Sequence, residues 1–333
     1  MVKNKQKPDP KVTLSIVVPV FNESPNLDYL CDRLVEVLSK LNITYEIILI
    51  NDGSSDDTLQ KALKCKSVYP QIVIIDLARN FGKEIALTAG LDYSRGEAVI
   101  PIDADLQDPP ELIEKLLAKW YEGYDVVCAT RKKRLGESWF KRFTASGFYK
   151  TISKLSTVSI PENTGDFRLL DRKVVDAIKL LPERTRFMKG LFAWVGYRQT
   201  TIYFERKPRF AGQTKWNYWK LWNFALDGIT GFSSIPLKVW SYLGIFIALI
   251  SIIYAIYLTL RTIIFGVDVP GYASLMVSIL FLGSVQLIAI GVLGEYLSRI
   301  YEETKQRPLY LVREIYDLDH VNSSLQSTTI SRY

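Results

Sequence analysis

A chain of 333 residues has room for one substantial domain and an appendage, with no difficulty in burying a core. Its formal net charge of +7 is not a nucleic-acid signature, because the excess clusters in 131–150 and 206–220 among Trp and Phe, a pattern suited to anionic lipid head groups. Cys31, Cys65 and Cys128, an odd number with no close pair and no metal-type spacing, fit a reducing compartment and are assigned no chemistry.

In chain order, residues 1–11 are basic and proline-bearing with no apolar core after them, and read as a short disordered lead rather than a targeting peptide. From residue 12 apolar runs alternate with helical segments. VTLSIVVP precedes a helix over 26–41, YEIILIND one over 57–67, QIVIIDL one over 84–93 and EAVIPID one over 110–121, after which YDVVCAT follows. This alternation predicts an α/β domain over 12–232 built on a mostly parallel sheet, with ligands at the carboxyl ends of its strands. Segments 135–156 and 216–232 mix aromatic and basic residues at helical spacing and are expected to lie in a membrane interface as amphipathic helices.

The uncharged stretches 239–260 and 270–294 each exceed the roughly 20 residues that cross a bilayer, so transmembrane helices are expected over 237–264 and 270–298. The connector carries one Arg and one Asp. Lys238 flanks the first span, and Arg299, Lys305, Arg307 and Arg313 flank the second, which puts both termini and the catalytic domain in the cytosol of a cell bounded by that membrane. Residues 299–333 read as a cytosolic tail, polar and mobile after Arg313. Gly244, Gly283, Gly291 and Gly294 permit close helix packing, and a homo-oligomer, a tetramer first, is expected.

The strand ends gather acids: Glu23 after the first strand, Asp52 after the second, Asp103 and Asp105 after the fourth. Hard oxygen donors at a strand end suit Mg²⁺ or Mn²⁺, which binds through one or two carboxylates plus substrate phosphates. Such a metal would neutralise charge on a departing nucleoside diphosphate. A phosphate-rich reaction also calls for opposing cations, for which Arg131, Arg209 and Lys215, with Arg168, are the candidates. The only histidine, His320, lies in the tail, no Ser/His/Asp or Cys/His arrangement is available, and no G-x-x-x-x-G-K-[ST] loop supports an ATPase.

Together IVVPVFNES, LINDGSSDDT and IDADLQDPP resemble the family-2 inverting glycosyltransferases. With NTGDFRLLDR, RFAGQTKW and the terminal hairpin, the chain is similar to the polyprenyl-phosphate glycosyltransferases related to dolichol-phosphate mannose synthase, in the bacterial branch with two membrane helices. That resemblance implies a nucleotide-diphospho-sugar transferase domain that moves a sugar, UDP-glucose being the first expectation and GDP-mannose or another UDP-sugar the alternative, onto polyprenyl phosphate, undecaprenyl phosphate in bacteria. It places the nucleotide against Pro19, Phe21, Glu23, Ile50 and Asp52, with Asp52 on the base. Asp103 and Ala104 would line the diphosphate pocket, Asp105 and Gln107 bind the metal with Asp103, and Arg131, Arg209 and Lys215 contact phosphates of donor and acceptor, Arg168 those of the acceptor. Asp166 falls where the wider family has a catalytic carboxylate. A phosphate monoester with a second pKa of about 6 scarcely needs a base, so Asp166 is expected to orient the acceptor or tune the metal site. A processive polysaccharide synthase is disfavoured by the missing Gln-x-x-Arg-Trp string and by having only two spans, and a non-catalytic scaffold by the presence of every required acid.

Overall fold

The computed structural model describes residues 12–131, 164–204 except 182, 185 and 187, 235–266 and 271–317. They fall into two compact units, one holding a sheet with its helices and the other two long helices.

In the first unit the strands are β1 (Leu14–Val20), β2 (Tyr45–Asn51), β3 (Ile72–Leu77), β4 (Ala98–Pro101), β5 (Val126–Arg131), β6 (Thr164–Asp171), β7 (Gln199–Phe204) and β8 (Val312–Tyr316). Between them run α1 (Ser24–Ser39), α2 (Thr58–Val68), α3 (Lys83–Tyr93), α4 (Ile113–Tyr121, entered through a 3₁₀ turn over Pro110–Leu112), α5 (Arg172–Lys179) and α6 (Met188–Trp194). The sheet order is β7-β5-β6-β4-β1-β2-β3-β8. The pairs β1–β2, β1–β4, β2–β3 and β5–β7 are parallel, while β6 runs antiparallel to both β4 and β5. The expected mostly parallel α/β sheet is therefore observed, as a mixed sheet with one reversed inner strand.

Strand periodicity explains the layering. Leu14, Ile16, Val18 and Val20 of β1 and Ile47 and Leu49 of β2 share one buried cluster with Leu27, Leu30, Leu34 and Leu38 of α1. The opposite parity meets α3. A Cβ on Gly90 would sit 2.2 Å from Val17 Cγ1 and 2.7 Å from Ile50 Cδ1, so only glycine admits this close approach of helix to sheet. Another tight position is Gly53, at φ +64°, where a Cβ would lie 2.4 Å from the Arg79 carbonyl carbon. The loops after β2 and β3 touch there through their backbones.

Two expectations are corrected. Residues after 299 are not a featureless tail: the last helix runs to Thr304, and Val312–Tyr316 forms β8, antiparallel on β3, with Ile75 opposite Ile315 and Asp76 opposite Glu314. Arg313, counted as a membrane-flanking cation, sits in that strand. Cys31 of α1 and Cys65 of α2 are both buried, and the Cys65 thiol donates to Asp28 Oδ1 of α1 at 3.8 Å.

The second unit consists of α7 (Ile235–Phe265) and α8 (Tyr272–Thr304), 31 and 33 residues long. Within it Phe281–Thr304 is long and apolar enough to cross a membrane, the one such stretch among the described residues. At about 1.5 Å per residue each helix exceeds the roughly 30 Å hydrocarbon thickness. Large apolar side chains point outward on both, as at Ile253, Ile263, Leu287 and Leu297. The expected interfacial helices, 135–156 and 216–232, lie outside the described residues, as does the lead 1–11.

Candidate active site

The acids converge because the parallel strands deliver their carboxyl ends to one rim. After β1 the chain turns through Asn22 at φ 52°. The Asn22 N–H donates to Ser54 Oγ at 3.0 Å, and Asn22 Oδ1 accepts from the Ser55 N–H at 2.8 Å. The Glu23 N–H donates to Thr58 Oγ1 (3.0 Å), and Glu23 Oε2 accepts from Asn26 Nδ2 (2.8 Å). The loops after β1 and β2 are thus stitched into one floor carrying Phe21, Glu23 and Asp52. Pro19 is half-buried in β1 on this side. Ile50 is fully buried with its side chain against α3, so its side chain belongs to the core.

Asp52 follows β2 and is almost completely buried. Its Oδ1 accepts from the Phe81 N–H at 2.7 Å and its Oδ2 from the Gly82 N–H at 2.9 Å, which fixes the loop leading into α3. Burial lifts its carboxyl above the ordinary range in spite of those two donors and Arg79.

That loop ends in Lys83, which opens α3. Its Nζ lies 2.6 Å from Asp103 Oδ1, beyond β4, and 2.6 Å from Asp166 Oδ2 in β6. One ammonium therefore joins carboxylates from two strands. Its side chain is 42% exposed, against 11% for Asp166, so the bridge sits at the mouth of the site. Burial alone would raise the Asp166 carboxyl, but Lys83, Lys189 and Arg168 hold it well below the usual carboxylate range, and the two aspartates raise Lys83.

Around this bridge several buried polar atoms have no hydrogen-bond partner among the described residues: Gln107 Oε1, Asp166 Oδ1, Thr130 Oγ1 and Arg168 Nε. Buried polar atoms are normally paired, and such atoms clustering at strand ends mark a place for a ligand. Arg168 is held in place by its Nη2 donating to Gly165 O (2.8 Å) and by its guanidinium lying 4.4 Å from the Phe192 ring centre. Beyond β4, Ala104 is buried, Leu106 adopts φ 52°, and Asp105 Oδ1 accepts from the Gln107 N–H at 3.2 Å.

No three His, Cys, Asp or Glu side chains gather around a common point among the described residues. Asp103, Asp105 and the unpaired Gln107 oxygen are nonetheless hard oxygen donors within six residues of one strand end. They fit a Mg²⁺-like ion that takes its remaining ligands from water and phosphate. Arg131 ends β5, its backbone paired with Phe204, and Arg209 and Lys215 lie outside the described residues.

Lys83 was absent from the sequence candidates, whose acids lie at the ends of the first, second and fourth strands and whose cations begin with Arg131 after the fifth. The signal was available in ARNFGKE, at the end of the third. Glu84, the next residue, accepts the Met188 N–H at 3.2 Å. Burial pushes its carboxyl up to about 7, aided by Asp166 and opposed by Lys83, Met188 N–H and Lys189. With an unfolded value of about 4.3, the raised native value makes protonated Glu84 stabilising below that pH, and this stability is lost as pH rises through 7. Glu84→Gln keeps an acceptor for Met188. Its melting temperature relative to wild type is expected to climb by a few degrees from about pH 4.5 to about pH 8; a constant difference in thermal unfolding would refute the assignment.

Comparison with known proteins follows the same outline. Residues 15–179 match glycosyl transferase family 2, and residues 235–300 match the GtrB C-terminal hairpin. An uncharacterized glycosyltransferase of Synechocystis sp. is 66% identical over 93% of this chain and 98% of its own length. The bactoprenol glucosyl transferase of Shigella phage SfX is 52% identical over 90% and 98%, and the prophage bactoprenol glucosyl transferase homolog of Escherichia coli is 50% identical over 91% and 99%. With a match of this extent across sheet unit and hairpin alike, the chain belongs to glycosyltransferase family 2, in the group whose catalytic domain is followed by a GtrB-type hairpin.

Proposed function

We propose that this protein transfers glucose from UDP-glucose to a polyprenyl phosphate, undecaprenyl phosphate in a bacterium, with inversion at the anomeric carbon. The observation that carries this reading is the near full-length match to bactoprenol glucosyl transferases, which spans the sheet and the hairpin together. The site chemistry agrees with it. The β1 and β2 floor, with Pro19, Phe21, Glu23 and Asp52, would receive the nucleotide. Asp103, Asp105 and Gln107 would hold a divalent cation, Mg²⁺ or Mn²⁺, which when bound offsets charge on the departing diphosphate.

The acceptor brings its own nucleophile, since a phosphate monoester with a second pKa of about 6 is largely ionised at neutral pH. A strong general base is superfluous, and the surroundings of Asp166 support that reading. A carboxylate paired with Lys83 and depressed by three cations is a poor proton acceptor. Asp166 instead holds Lys83 in place at the mouth of the site. Arg168 would offer its unpaired Nε to the acceptor phosphate, with Arg131, Arg209 and Lys215 as further phosphate ligands. The lipid phosphate oxygen attacks the anomeric carbon in line as the nucleoside diphosphate leaves, so no covalent enzyme intermediate forms.

The hairpin would anchor this chemistry at a membrane. We assign α7 and α8 as two spans, with the catalytic domain and both termini on the cytosolic side and 135–156 and 216–232 as helices in the interface. A Cβ built at Gly244, Gly283, Gly291 or Gly294 meets no atom within 4 Å. These open faces leave room for a neighbouring helix, which supports a homo-oligomer, a tetramer first.

The test is a panel of radiolabelled UDP- and GDP-sugars incubated with purified protein, polyprenyl phosphate and Mg²⁺, followed by lipid extraction. Label is expected in the lipid fraction with UDP-glucose. Label only with another sugar corrects the donor, and no labelled lipid with any donor defeats the reading.

A further inference from the structure

The strand that follows the hairpin reaches into the donor site through a chain of polar contacts. Asp76, at the end of β3, is 1% exposed. Its Oδ1 accepts from Asn51 Nδ2 at 2.7 Å and its Oδ2 from Arg313 Nη1 at 3.1 Å. Asn51 ends β2, directly before Asp52, and its Oδ1 accepts the Ser54 N–H at 3.3 Å. Ser54 Oγ in turn accepts the Asn22 N–H. A buried carboxylate needs a cation or several donors to remain charged, and Arg313 is the cation hydrogen-bonded to Asp76.

Arg313 has a second grip. Its Nη2 donates to Ala78 O at 2.8 Å, while the Ala78 N–H donates to Leu311 O at 2.8 Å. Both backbone polar atoms of Ala78 are thus held by the C-terminal strand. Ala78 begins the loop that runs to Lys83. The far end of that loop is tied to Asp52, and its middle lies against Gly53. Moving Ala78 would therefore disturb the floor around Asp52 and the delivery of Lys83 to Asp103 and Asp166.

From this geometry we infer that Arg313 is a positioning residue for the donor nucleotide, and that β8 makes donor affinity depend on the segment emerging from the hairpin. The inference rests on the donor-site reading given above. Arg313 is itself 56% exposed and packs little, so its replacement removes the two grips with little other loss. Three variants of the full-length protein distinguish the cases. Arg313→Met is expected to weaken binding of UDP, titrated calorimetrically, by about tenfold, the scale of one hydrogen-bonded charge. The donor KM should rise in parallel while the acceptor KM stays unchanged. Arg313→Lys, which can reach Asp76 without the planar fork that also holds Ala78, is expected to recover part of the loss. Glu314→Gln, on the same strand and paired only with Tyr316 among the described residues, is the control and should bind as wild type.

UDP affinity unchanged in both Arg313 variants would overturn the inference while leaving the donor site intact. Equal increases in donor and acceptor KM would overturn it too, since they indicate general loosening of the domain. Failure of wild-type protein to bind either UDP or GDP would overturn the donor-site reading and this inference with it. Should Arg313→Met not fold, Arg313→Lys carries the same comparison.

Discussion

Replacing Asp105 by Asn is expected to lower turnover by about 10³-fold or more, the scale of losing a principal electrostatic stabiliser of a developing charge. The substitution is nearly isosteric and Asn Oδ1 can still accept the Gln107 N–H that Asp105 Oδ1 accepts. The turn after β4 should therefore persist, and thermal unfolding and membrane association should match wild type. What disappears is one negative charge and, on the proposed assignment, one hard ligand. Mn²⁺ binding in the presence of UDP, followed by electron paramagnetic resonance, should weaken along with kcat. Turnover within a few-fold of wild type would show that Asp105 is not a metal ligand, and the assignment of Asp103 and Gln107 would fall with it.

Lys83→Met should produce the second-largest loss. Asp103 and Asp166 approach the same ammonium from two strands, so without it two carboxylates face each other across the site. Leaving such charges uncompensated costs about 2 kcal/mol at a partly exposed position, and kcat/KM is expected to fall by about 30-fold or more. Lys83→Arg retains the charge and should recover a measurable part of the activity. A wild-type kcat/KM in Lys83→Met would remove Lys83 from the site.

The strands that could be read directly were those buried on both faces. β1, β2 and β3 are near-continuous apolar runs, LSIVVPV, YEIILIN and IVIIDL, because helices cover both sides of the sheet there. A buried parallel strand must end where the chain meets solvent, and so the acids after β1, β2 and β4 were visible as a rim before any coordinates. The long apolar stretches of α7 and α8 were equally legible, since a helix with no polar stripe has only apolar surroundings to prefer.

The strands that escaped notice carry charge. β6 reads TGDFRLLD and contains Asp166 and Arg168, which share the strand face opposite Phe167 and Leu169 of the core cluster. β7 alternates exposed and half-buried residues, and β8 is VREIY, a five-residue strand on the sheet edge. Charge on an edge strand is what blunts it against pairing with other chains, and the same charge hides it from a reading based on hydrophobic periodicity.

The sequence by itself determined the α/β alternation, the acidic strand tips and the apolar hairpin, because each follows from local periodicity and from where a covered strand must reach water. Only the tertiary structure decided that Lys83 joins Asp103 to Asp166 and that Arg313 grips Asp76 and Ala78. Each of those contacts links residues from separate elements, and the sheet order that brings them together arises from long-range strand pairing, which leaves no periodic trace in any short stretch of chain.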